Sequence, residues 1–175
     1  MSRPASSSAA LPLAYVALRI LIVVNWLGGA AIAALLFFMP TRQWIMTALE
    51  LAPSPEADRL IMGLHAIAAL GLVAIPLNHS FLTRLLAIVE TVRAGDPFVA
   101  KNAHRLQTIA WSLLALQLLS LAIGAIARTV STPAHPLELD AGFSISGWLA
   151  VLLTFVLARV FAKGTHMRDD LEGTV

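Results

Sequence analysis

Four long apolar runs divide the chain, and shorter segments rich in polar residues separate them. The runs occupy residues 20–39, 60–77, 106–127 and 143–161. The first run holds 20 residues without a charge, and at about 1.5 Å per residue it spans about 30 Å, the hydrocarbon thickness of a bilayer. Inside lipid a segment must satisfy its own backbone polar groups, so the pattern predicts four membrane-spanning helices.

The segment between the second and third runs has a different pattern. In residues 79–94 apolar positions recur at helical spacing, while charged residues fall largely on the other side. The apolar positions are Phe81, Leu82, Leu85, Ile88, Val89 and Val92. This spacing predicts an amphipathic helix, which either lies in the membrane interface or continues the second span into the cytoplasm.

Composition supports a location in the membrane. Hydrophobic residues make up 58% of the chain and charged residues only 13%, against roughly 25% charged in a soluble domain. The length of 175 residues suits one compact unit, so residues 1–175 are expected to form a single four-span domain. The sequence therefore predicts an all-α integral membrane four-helix bundle with a cytoplasmic amphipathic helix between its second and third spans.

The positive charges indicate an orientation. With the N-terminus in the cytoplasm, nine of the 12 lysines and arginines fall on the inner side and three on the outer side. The positive-inside rule favours this arrangement over its reverse. Residues 78–105 then form a cytoplasmic loop and residues 162–175 a cytoplasmic tail. The net charge of +2 is too small to indicate nucleic acid, so the partner that composition implies is the lipid bilayer.

The sequence contains no recognisable catalytic or cofactor-binding motif. It has no cysteine, and its five histidines do not fall into the paired spacing of a metal site. The glycine-rich loops of nucleotide-binding proteins and the Gly-x-Ser-x-Gly turn of serine hydrolases are missing. An enzyme acting on lipid would need carboxylates at headgroup depth, and the four runs contain none. We therefore expect no enzyme activity, cofactor or metal.

Two polar segments carry a motif in combination. One begins Gly95-Asp96-Pro97-Phe98 and continues with Asn102 and Arg105-Leu106, and the other is residues 161–175, which end Glu172-Gly173-Thr174-Val175. Together with four spans they resemble domain-of-unknown-function family 2975, small multi-pass proteins of the bacterial cytoplasmic membrane. The resemblance implies no activity or cofactor. Genes of that family often lie near a small helix-turn-helix regulator, which implies a regulatory role and a transcription regulator as partner.

The loop between the second and third spans is the first candidate site. Gly95 permits a positive φ at a helix end, Pro97 fixes a turn, and Phe98 is placed to dock against the helices. Asn102 is the expected N-cap of the next helix, and Arg105 flanks the third span. These residues make either a well-built helix connection or a docking platform for a soluble partner or an anionic lipid headgroup.

The tail is the second candidate site. Its mixed charges indicate either a solvated helix end or a segment that folds back on the loop. In the second case Asp169, Asp170 or Glu172 would pair with a cation of the loop, and the terminal carboxylate would add another anion. The tail residues singled out as contacts are Gly164, Arg168, Asp170, Glu172 and Val175. The loop cations available to them are Arg93, Lys101 and Arg105.

Polar residues within the spans are the third feature. Asn25, His65, Gln107 and Gln117 either join helices by hydrogen bonds or form a polar line through the membrane. Two functions follow. The first is a non-enzymatic regulatory or accessory protein that presents its loop and tail to a cytoplasmic partner. The alternative is the subunit of a small transporter or channel, which would need the four side chains to converge on a cavity and the chain to form a homo-oligomer.

Overall fold

The computed structural model describes residues 7–38, 42–96, 98–133, 136–137 and 139–172. This part of the chain is helical and contains no β-strand. Its helices are α1 (Ser7–Phe38), α2 (Arg42–Ala48), α3 (Pro55–Arg93), α4 (Ala100–Val130) and α5 (Ile145–Glu172). All are long except α2, a short helix in the connection between α1 and α3.

Four of these helices are long and apolar enough to cross a membrane, as the hydrophobic pattern predicts. The qualifying stretches are Ala10–Phe37, Pro55–Arg93, Ala100–Val130 and Ile145–Thr165. Their side chains are largely exposed, and the large exposed hydrophobic residues are concentrated on α1 and α5. Such surfaces suit acyl chains, so an all-helical multi-pass membrane protein is the architecture that these observations support.

The long helices form an open row in chain order, which corrects the expected four-helix bundle. Helix α1 packs on α3, α3 on α4, and α4 on α5. Across the described residues, α1 contacts neither α4 nor α5, and α3 does not contact α5. In water an open row would leave too much apolar surface uncovered. In lipid the hydrophobic effect does not drive closure, because acyl chains are as apolar as leucine.

Helix α1 runs antiparallel to α3. At one end Leu18 packs with Leu82 and Leu86 in a buried cluster. Farther along α1, a Cβ added at Gly29 would lie 3.0 Å from a side-chain atom of Ile75, so the two helices approach closely at this glycine. Small residues at such crossings let helix backbones come together, which is the usual way in which helices associate in lipid.

Helix α3 is longer than the span that the sequence predicts. The Ser54 hydroxyl caps its start by accepting a hydrogen bond of 3.1 Å from the Ala57 amide, and Pro55 occupies the first turn. Pro76 lies inside the helix without ending it. The structure does not confirm a separate amphipathic helix after the second span, because residues 79–93 continue α3. Their apolar side has a structural reason, since it packs against the start of α1.

The expected N-cap of α4 is wrong. Val99 occupies the N-cap position and makes no side-chain capping bond, while Asn102 lies within the first turn of the helix. The side chain of Asn102 points into the protein, where it is fully buried and bonded to neighbouring side chains. Hydrogen bonds between buried polar side chains stabilise a protein more than a capping bond at an exposed helix end.

Candidate functional site

A polar network joins the end of α3 to the start of α4. The Asn102 side-chain amide donates a 2.7 Å hydrogen bond to the Thr91 hydroxyl, which itself donates to the carbonyl of Ile88. The Arg105 guanidinium donates to the Asn102 side-chain oxygen over 2.8 Å and to the Ala87 carbonyl over 3.1 Å. Asn102 is 0% exposed, so these bonds satisfy a buried amide. The network fixes the ends of the loop.

The turn that follows α3 contains a backbone conformation that glycine adopts readily. Gly95 has φ of +88°, a region that residues with a Cβ rarely adopt, and its amide bonds to the carbonyl of Val92. This conformation changes the direction of the chain at the end of α3. Pro97, the other turn residue singled out from the sequence, lies outside the described residues.

Phe98 connects the loop to the tail. Its ring is stacked on that of Phe161 in α5, with centroids 5.3 Å apart and ring planes inclined by 28°. A Cβ added at Gly164, one turn farther along α5, would lie 3.9 Å from the Phe98 ring. Phe98 is still 50% exposed. We call Gly95, Phe98, Phe161 and Gly164 together the loop–tail surface.

The tail approaches the loop as the continuation of α5. Its backbone is helical as far as Glu172. The side chains of Arg168, Asp170 and Glu172, and the whole of Val175, lie outside the described part of the chain, so the expected charge pairing is untested for them.

Two of the loop cations have other partners. The guanidinium of Arg105 bonds within the α3–α4 network. That of Arg93 lies 5.0 Å from the ring centre of Tyr15 on α1, whose hydroxyl accepts a hydrogen bond from Arg19. Among the described residues, therefore, an aromatic contact holds the loop against α5 at the point where the tail begins.

The polar residues within the spans do not converge. Asn25 donates to the Ile75 carbonyl over 3.1 Å and so joins α1 to α3. The His65 ring nitrogen Nδ1 lies 2.8 Å from the Ile61 carbonyl of its own helix. Gln107 lines a cleft between α4 and α5, and Gln117 packs against Gly147 at a different level of the same pair of helices. The four side chains therefore lie at separate places, and the bond of His65 to Ile61 stays within its own helix.

Sequence reasoning missed the partners that complete these contacts. Nothing in the sequence marks Thr91 or Phe161 as a contact residue, because a threonine near the end of a helix and a phenylalanine in a span are common. A further missed pair is Trp26 on α1 with His79 on α3, whose ring nitrogens lie 3.1 Å apart. Within the described ranges no three metal-ligating side chains come together. These partners could have been predicted only if it had been known which spans pack against each other in antiparallel orientation.

Comparison with known proteins identifies a family. No curated protein and no solved structure matches the chain. The model of the family described as "Protein of unknown function (DUF2975)" matches residues 54–175. The match begins at the N-cap of α3 and contains α3, α4 and α5, with both parts of the loop–tail surface. Since it spans more than half of the sequence, the chain belongs to the DUF2975 family.

Proposed function

We propose that this protein is a non-enzymatic membrane protein that presents the loop–tail surface to a soluble cytoplasmic protein, and that this partner is a transcription regulator. The stack of Phe98 on Phe161 carries the proposal, because it joins the two polar segments of the motif into one surface. A surface built from two segments 63 positions apart in sequence exists only when the membrane helices are assembled.

The loop–tail surface is suited to binding because it is held in place before a partner arrives. The Asn102 network fixes one side of the loop, and the Phe98 ring is stacked on the ring of Phe161. A preorganised aromatic residue loses little conformational freedom on binding, and aromatic residues are enriched at the centres of protein interfaces. Half of the Phe98 side chain remains available for such a contact.

The charge distribution supports the cytoplasmic placement. The α3–α4 loop and the end of α5 lie at the side that carries most of the lysines and arginines, which the positive-inside rule assigns to the cytoplasm. A transporter or channel subunit is not favoured. Asn25, His65, Gln107 and Gln117 lie apart from one another and line no common cavity in the described residues.

The test is photo-crosslinking in cells. A photo-reactive benzoylphenylalanine replaces Phe98, and in a matched control it replaces Phe143, which is also exposed but precedes the opposite end of α5. We expect position 98 to capture a soluble DNA-binding protein that position 143 does not capture. Phe161→Ala, which removes the ring on which position 98 is stacked, should strongly reduce the capture. Capture of only further copies of this chain, unchanged by Phe161→Ala, would refute the proposal.

A further inference from the structure

A cleft of about 470 Å³ opens between α3 and the first turn of α4, at the loop end of the helices. It is distinct from the loop–tail surface. Its lining residues are Arg84, Ala100, Lys101, His104 and Arg105. Three of the five are lysine or arginine, the fourth is a histidine, and no carboxylate lines the cleft. Such a concentration of one charge in one depression indicates an anionic ligand.

The cations differ in how they are held. Arg105 is fixed in the wall, since its guanidinium donates to Ala87 and Asn102. Arg84 and Lys101 are exposed, and neither has a hydrogen-bond or ion-pair partner in the described ranges of the chain. Like charges gathered without a counter-ion repel one another, so an anion in the cleft relieves this repulsion. One rigid and two adjustable cations suit a phosphate group, which accepts several hydrogen bonds.

The start of α4 adds a second attraction for an anion. Lys101 lies in the first turn of this helix, where the backbone dipole is positive. The N-cap residue Val99 makes no side-chain capping hydrogen bond to the helix start. The dipole and the three cations therefore act on the same depression.

The surroundings of the cleft favour a lipid over a soluble anion. His104 also lines a neighbouring cleft between α4 and α5, together with Gln107 and Arg159. From His104 an exposed stripe continues at seven-residue spacing along α4 through Trp111 and Leu118 into the span. A bound phosphate at the cleft would thus have an exposed apolar track beside it on which acyl chains lie.

We propose that the cleft formed by Arg84, Lys101, His104 and Arg105 binds the phosphate of an anionic phospholipid, with the acyl chains lying along the exposed stripe of α4. Basic depressions between membrane helices bind anionic headgroups through charge and hydrogen bonds. The site shares no residue with the loop–tail surface, and of the residues in the cleft Arg105 alone also belongs to the network that holds the loop.

The test measures the Tm of the purified full-length protein in neutral detergent. The ligands are dihexanoyl phosphatidylglycerol, dihexanoyl phosphatidylcholine and inorganic phosphate at equal concentrations. At about ten times the dissociation constant, we expect phosphatidylglycerol to raise the Tm by about 3–6 °C. The double variant Arg84→Gln, Lys101→Gln should lose this shift. It leaves Arg105 and its structural bonds intact. Arg59→Gln removes an exposed cation from the other end of α3 and should keep the shift.

Each other outcome is decisive. An equal shift with phosphatidylglycerol and inorganic phosphate, lost in the double variant, would show a site for a soluble anion and overturn the lipid assignment. An equal shift with both phospholipids would show that the negative charge of the lipid does not matter, which also overturns it. A shift with phosphatidylglycerol that the double variant retains would place the lipid elsewhere.

Discussion

The side-chain amide of Asn102 donates a hydrogen bond of 2.7 Å to the hydroxyl of Thr91, across the loop that joins α3 to α4. The same asparagine accepts a bond from Arg105, and no part of it is exposed. One buried side chain thus ties together the end of one membrane helix and the start of the next. The position of the loop, and of Phe98 within it, depends on this contact.

Replacement of Asn102 by alanine is expected to lower the free energy of unfolding by about 2–4 kcal/mol. The change leaves the Thr91 and Arg105 side chains without their shared partner in a buried place. Thermal unfolding in detergent measures the loss. The neighbouring Lys101→Ala, which removes an exposed side chain, should change the free energy by less than about 0.5 kcal/mol. Equal Tm values for the two variants would contradict a structural role for Asn102.

The sequence indicated Asn102 but not its role. An asparagine ahead of an apolar run is typical of an N-cap, because that rule uses only local spacing. The partner that decides the matter, Thr91, belongs to the preceding helix, and nothing local predicts that the two meet. The four spans were predictable for the opposite reason. The length and hydrophobicity of a segment are local properties, and they decide whether it can cross the bilayer.

Glycine positions in the spans should respond unequally to alanine. A Cβ at Gly124 would lie 2.8 Å from the carbonyl oxygen of Ala141 and the Cα of Gly142, and backbone atoms cannot rotate away. We expect Gly124→Ala to destabilise the protein by about 1–3 kcal/mol. The matched variant Gly28→Ala on α1 places its Cβ in open space and should be nearly neutral. Comparison of their unfolding temperatures checks both, and a neutral Gly124→Ala would contradict the close approach.

The sequence could not predict which helices pack against each other. Span length predicts how many helices cross the membrane, and charge asymmetry predicts their direction. Neither predicts which helices pack together, because lipid can cover any apolar face. The open row arises from particular fits, such as Gly29 against Ile75 and Gly63 against Val130. Each fit needs both partners to be known. For the same reason the sequence could not decide whether Asn25 and Gln117 lie together, and the structure separates them.

Orientation is open to a direct test because the chain has no cysteine. Ala52→Cys and Ala94→Cys each place one thiol at an exposed position, before α3 and at its end, respectively. With the loop in the cytoplasm, a membrane-impermeant maleimide should label the first variant in intact spheroplasts and the second only after permeabilisation. The reverse pattern would place the loop–tail surface outside the cell, away from any transcription regulator.

The central claim is that the α3–α4 loop and the tail form one surface through Phe98 and Phe161. A double-mutant cycle tests it most directly. The free energy of unfolding is measured for the wild type, Phe98→Leu, Phe161→Leu and the double variant. A stacked pair should give a coupling energy of about 0.5–1.5 kcal/mol. Additive effects, with no coupling beyond the error of the measurement, would show that the two segments act separately and contradict the claim.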